Sequence, residues 1–181
     1  MKSFIFSILI SVPLFGNSQS WERITLNVSP TLGFGEKKSP EIRDGNSFLT
    51  AGIGYHFYLN NKFLLNPTVG YCINELNGKQ SSGIDLSINS LLALKQRFNT
   101  HMFLAFSYYH DMNMNPNSLC LSVGFGITPW AKYDNEEDES WQGQMLIAQI
   151  GPAFIFQEDL YFGFKMSWIN CLGNTIPRKQ T

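Results

Sequence analysis

Charge is scarce in this chain of 181 residues. Only 15% of it is Asp, Glu, Lys or Arg, and 13 basic against 14 acidic residues leave a formal net charge of −1. A protein that grips nucleic acid through a broad basic surface needs a cationic excess, so nucleic acid is excluded as a partner. Disorder goes with high charge and few aromatics, and the 14% of Phe, Trp and Tyr excludes it. Cysteine is sparse too: Cys72, Cys120 and Cys171 are widely spaced, odd in number and without a C-x-x-C pair. They form no disulfide framework and read as small packing side chains. His56, His101 and His110 show no metal-ligand spacing, and no glycine-rich turn opens a helix. Neither a metal nor a cofactor is expected.

Long apolar runs are also missing, apart from one short run at the start. Met1 and Lys2 form a small basic region, Ser3 to Phe15 is mostly apolar, and Gly16 to Ser20 is small and polar. That is the layout of a secretory signal peptide, too short and proline-broken for a spanning helix, which needs about 20 apolar residues. Residues 1–19 are therefore expected to be a signal peptide, 20–170 a folded barrel, and 171–181 a C-terminal tail.

What is present is alternation. From Trp21 onward the apolar residues recur every second position rather than at the helical period. Leu26, Val28, Leu32 and Phe34 share one face, with Asn27, Ser29, Thr31 and Gly33 on the other. The same division separates Leu49, Ile53 and Phe57 from Thr50, Gly52 and Gly54, and Leu65, Val69 and Tyr71 from Asn66, Thr68 and Gly70. It continues through Ile84, Leu86 and Ile88 against Asp85, Ser87 and Asn89, then Met102, Leu104 and Phe106 against Phe103, Ala105 and Ser107. Leu119, Leu121, Val123 and Phe125 oppose Cys120, Ser122 and Gly124; Leu146, Ile150 and Phe154 oppose Gln149 and Ala153; Phe162, Phe164 and Trp168 oppose Tyr161, Lys165 and Ser167. Eight strands of about ten residues result. Pro30 and Pro152 fall inside two of them, where a missing N–H interrupts pairing.

The second face is the informative one. In a soluble β-sandwich it meets water and carries charge. Here it is Gly, Ser, Thr, Asn and Ala, and the charges collect in connections such as Glu36-Lys37-Lys38 and Glu136-Glu137-Asp138-Glu139. That division fits an inside-out barrel with the apolar set facing lipid and the small polar set filling a narrow lumen. Ten-residue strands match a tilted membrane crossing, and hydrocarbon demands closure of the sheet. The chain thus reads as an all-β, antiparallel up-and-down transmembrane β-barrel of eight strands. Residues 21–169 resemble the small bacterial outer-membrane β-barrel proteins of the OmpA/OmpX-like class. The resemblance implies location in the bacterial outer membrane, outer-membrane lipid as surroundings, and protein partners in an envelope complex.

An eight-stranded barrel leaves room inside only for side chains. Tyr58, Leu91, Phe103, Tyr109 and Tyr161 are expected to plug it, with Asp85 and Lys165 as a lumen charge pair and Lys95 as a further internal charge. Residues 36–47, 75–83 and 110–118 are expected as loops at one end.

One stretch bears on enzymatic chemistry. Tyr108-Tyr109-His110-Asp111-Met112-Asn113 is similar to the active-site region of outer-membrane lipid A deacylases, which carry an H-x-S-N motif at the rim of a barrel strand. His110 and Asn113 match its first and last positions. Met112 stands where the nucleophilic Ser would be, and a thioether does not attack an ester. The leading reading is therefore a non-enzymatic barrel with a structural or interaction role in the envelope. The alternatives are a lipid A-modifying hydrolase with its site near His110, and a soluble periplasmic β-barrel binding an apolar ligand.

Overall fold

The computed structural model describes residues 24–35, 45–60, 62–76, 79–94, 100–112, 117–131 and 145–171. The expected signal segment, Lys95, Asn113, the acidic run 136–139 and the expected tail beyond Cys171 lie outside these residues. The strands are β1 (Ile24–Phe34), β2 (Gly45–Tyr55), β3 (Phe57–Asn60), β4 (Phe63–Leu76), β5 (Lys79–Ala93), β6 (Thr100–Asp111), β7 (Ser118–Ala131), β8 (Met145–Phe156) and β9 (Leu160–Cys171). Apart from β2 and β3, each pairs antiparallel with its sequence neighbour; β2 also pairs with β4, and β1 pairs with β9. The result is a closed, up-and-down barrel of eight staves, as the alternation predicts.

The eighth-versus-ninth count has a local cause. β2 and β3 are two halves of one stave: Gly54 pairs with Thr68 and Phe57 with Leu65, one register carried across His56. Pro67 stands on the facing strand at this point, and its missing N–H leaves the ladder a gap there.

Pro129 on β7 lies where the β7–β8 register shifts, between Ile127 and Trp130, whereas Pro30 and Pro152 interrupt pairing without shifting register. Between β1 and β9 the pairing passes from Val28↔Trp168 to Thr31↔Lys165, skipping Ser29 and Pro30. Between β7 and β8 it passes from Ser122↔Ala153 to Phe125↔Ile150, skipping Gly151 and Pro152. A serine repairs each gap. Ser29 Oγ donates to Ser167 Oγ at 2.9 Å, and Ser122 Oγ donates to the Pro152 carbonyl at 2.8 Å.

The β4–β5 connection departs from the expected loop over 75–83. Pairing continues to Glu75↔Gln80 and Leu76↔Lys79, so strand replaces most of that loop. Backbone pairing here does not depend on an apolar face, because the hairpin rises past the apolar zone. The loops expected over 36–47 and 110–118 are likewise shortened, since β2 begins at Gly45, β6 runs to Asp111 and β7 begins at Ser118.

Side chains alternate strictly between the two faces. In β1, Thr25, Asn27, Ser29 and Thr31 are buried while Leu26, Val28, Leu32 and Phe34 are exposed. β5, β6, β7 and β9 repeat this division: Ile88, Leu104, Phe125 and Phe164 are about half exposed or more, and Asn89, Ala105, Ser122 and Lys165 are buried. The large apolar side chains thus form a belt around the outside.

Candidate functional site

The lumen is layered. At the end that carries Ile24 and Cys171, the inner residues Leu64, Leu91, Ala93, Met145, Ile147, Ile169 and Cys171 form an apolar cluster. At the far end, Phe48, Cys72, Tyr109, Cys120, Ala153, Ile155 and Tyr161 form a second one. Phe48 and Tyr109 stack there, with ring centroids 4.2 Å apart and planes inclined by 12°. Leu91, Phe103, Tyr109 and Tyr161 are buried in the lumen as expected. The side chain of Tyr58 lies outside the described residues.

Between the two clusters runs a polar band. Lys165 on β9 reaches across to β6, where Nζ donates to Ser107 Oγ at 2.6 Å. Ser107 is the register partner of Ser87 on β5, and Ser87 Oγ donates to Asp85 Oδ2 at 3.4 Å. Asp85 and Lys165 are both buried, 3% and 4% exposed. The charges expected as a pair therefore share the band, and each meets a serine hydroxyl on the way to the other.

A second tie crosses the lumen nearer the terminal end. Asn89 Nδ2 on β5 donates to Gln149 Oε1 on β8, and Gln149 Nε2 donates to His101 Nε2 at 3.2 Å. Asn27, Thr25, Asn66 and Thr68 form a further network, with Asn66 Nδ2 donating to Thr25 Oγ1 and Asn27 Nδ2 to Thr68 Oγ1, both at 2.8 Å. Low-dielectric surroundings strengthen the bonds that such buried networks do make. The Gln149 and Lys165 ties matter for position, since both hold the β8–β9 hairpin, and proline interrupts both of its outer ladders.

The rim around His110 is a separate place. His110 projects outward from the end of β6 and is exposed. Its Nδ1–H donates to Asn117 Oδ1 at 3.0 Å, and the Asp111 N–H donates to the same oxygen at 3.3 Å. The ring lies 6.4 Å from that of Tyr108 on the same face. The bond to Asn117 orients the ring. Met112 is exposed beside it. Asn117 lies beyond the quoted stretch, and alternation gives no reason to pair it with His110; the return of the chain into β7 beside β6 does so.

Inside the rim, Ser81 Oγ donates to Asp111 Oδ2 at 2.5 Å and Asn46 Nδ2 to Gln157 Oε1 at 2.8 Å. Among the described residues no group of three or more His, Cys, Asp or Glu side chains gathers. The three cysteines are buried and not in disulfides, Cys72 and Cys120 in the far cluster and Cys171 in the terminal one. The chain matches no protein-family model, and no curated protein matches its sequence.

Proposed function

We propose that the chain is an exported bacterial outer-membrane β-barrel, held in lipid by its outer face, with a non-enzymatic role as a structural element or subunit of an envelope assembly. The observation that carries this reading is the apolar belt. Soluble monomers rarely expose a contiguous apolar patch beyond a few hundred Å², whereas Leu26, Ile53, Val69, Ile88, Leu104, Val123, Ile150 and Phe164 expose such residues on every stave. A closed barrel is one of the two backbone arrangements that leave no polar group bare in hydrocarbon.

The dimensions agree. A run such as Leu119 to Ile127 on β7 extends about 30 Å at about 3.4 Å per residue. Tilted by about 40°, it spans about 23 Å along the barrel axis, against an apolar band of about 25 Å. Outer-membrane lipid is then the immediate partner, and proteins of an envelope complex are the further ones.

A soluble barrel binding an apolar ligand calls for apolar stripes turned inward around a cavity. The stripes turn outward here, the middle of the lumen is polar, and both its ends are packed, which speaks against that reading. The hydrolase reading draws support from one observation, the His110 imidazole oriented by Asn117 at the rim. Its test is the lipid A acylation pattern of cells with the protein, without it, and with His110→Ala; an unchanged pattern removes it.

The leading reading is tested by density-gradient fractionation of cells making the full chain, followed by an alkaline carbonate wash. Recovery in the washed outer-membrane band is expected. Recovery as a soluble periplasmic protein would overturn the reading.

A further inference from the structure

Above the far apolar cluster, β2, β4, β5, β6 and β7 enclose a cavity of about 10 Å³, partly open toward the mouth of the barrel. That is room for one water-sized occupant and excludes an organic ligand. Phe48, Tyr109 and Cys72 line its apolar side; Asn74, Gly83, His110, Asp111 and Ser118 line the rest. Gly83 keeps the wall thin, because a side chain there would run into the His110 carbonyl.

Asn74 marks the chemistry. It is 5% exposed, and its Oδ1 has no hydrogen-bond partner among the described residues. Its register partner is Ser81, whose hydroxyl is turned to the Asp111 carboxylate. Asn74, with its unpartnered amide oxygen, the carboxylate-bearing Asp111 and Ser118 therefore line one small space from β4, β6 and β7. The imidazole of His110 is turned away to Asn117, so apart from the Cys72 thiol on the apolar side the polar side chains on this space offer oxygen. Oxygen sets of this kind suit hard cations, while softer metals favour imidazole and thiolate.

We propose that this cavity binds a single calcium ion, held by Asn74 Oδ1 and the Asp111 carboxylate, with Ser118 and solvent at the mouth completing the shell. One carboxylate places the site in the weak class, with half-saturation between about 0.1 and 1 mM.

The probe is terbium, titrated into the full chain folded in detergent. Tyr109 lines the cavity and would sensitise terbium emission; calcium in the millimolar range is then added in competition. Saturable emission displaced by calcium is expected. Asn74→Ala and the near-isosteric Asp111→Asn should each reduce it at least tenfold while the protein keeps its folded gel mobility. Absence of saturable emission means that water alone occupies the cavity and overturns the proposal. Emission unchanged in both folded variants would place the ion elsewhere, such as the acidic run 136–139, and overturns it equally.

Discussion

Gly126 on β7 is the register partner of His101 on β6, and the buried imidazole lies where a side chain on Gly126 would be. The glycine is thus the space that lets His101 lie flat against the wall and accept from Gln149. Gly126→Ala should push the ring off Gln149 and destabilise the barrel by about 1–3 kcal/mol, the usual penalty for overpacking. Urea unfolding of the barrel refolded in detergent measures this. Adding His101→Ala to Gly126→Ala should return part of the loss; strictly additive losses would mean that the two residues do not compete for space.

The buried charges should be coupled. Lys165→Met leaves Asp85 in the polar band without its cation and should cost about 3–5 kcal/mol. Asp85→Asn combined with Lys165→Met should cost clearly less than the sum of the single changes, as a double-mutant cycle reads. Additivity would show that the two charges, each bonded to its own serine, do not sense one another.

Closure of the barrel should depend on a side chain. Ser29 bridges to Ser167 where Pro30 interrupts the β1–β9 ladder, so Ser29→Ala removes the contact that spans the gap. A loss of about 1 kcal/mol is expected, seen as a lower temperature for conversion of the folded to the unfolded gel band. Ser90→Ala, on a continuous stretch of the β4–β5 ladder, should leave that temperature within the scatter.

Conduction should be absent. Leu64, Leu91, Ile147 and Ile169 fill one end of the lumen, and Phe48, Tyr109, Ile155 and Tyr161 fill the other. Purified protein in planar bilayers should give no discrete current steps. Reproducible steps would contradict the packing of both ends.

Much of this architecture is legible in the sequence, because alternation reports which face a residue takes. Asp85, Ser107 and Lys165 are inward and Leu104, Val123 and Phe164 outward, as the pattern of small polar against large apolar residues says. Alternation carries no information about height along the barrel. It could not show that Phe48 and Ile155 close one end while Ile147 and Ile169 close the other, nor that strands β4 and β5 continue to Leu76 and Lys79 beyond the belt. It also misses contacts made by crossing the lumen. Lys165 to Ser107 and Asn89 to Gln149 join staves that are not neighbours, and their pairing follows from the circumference of the closed sheet. The Asn74–Asp111 cavity is hidden for the same reason, since it needs the register of β4 against β5 and of β5 against β6.

The belt itself should be intolerant of charge. Leu104 sits midway along β6 and is 50% exposed. On a soluble protein, a change at such a surface position alters stability by about 0.5 kcal/mol or less. In a bilayer, Leu104→Arg should cost about 2–4 kcal/mol, whereas Met112→Arg at the rim should cost little. Equal, small effects at both positions would argue that water and not lipid covers the belt.

The central claim is a closed barrel with lipid on its outside, and gel mobility of the membrane fraction addresses it most directly. Outer membranes from cells making the full chain are dissolved in dodecyl sulfate and run with and without boiling. The account requires a band in this fraction that migrates as a compact species unboiled and shifts on boiling, because a sheet without free edges resists detergent until heated. A chain found only in the soluble fraction, with one mobility under both conditions, would contradict it.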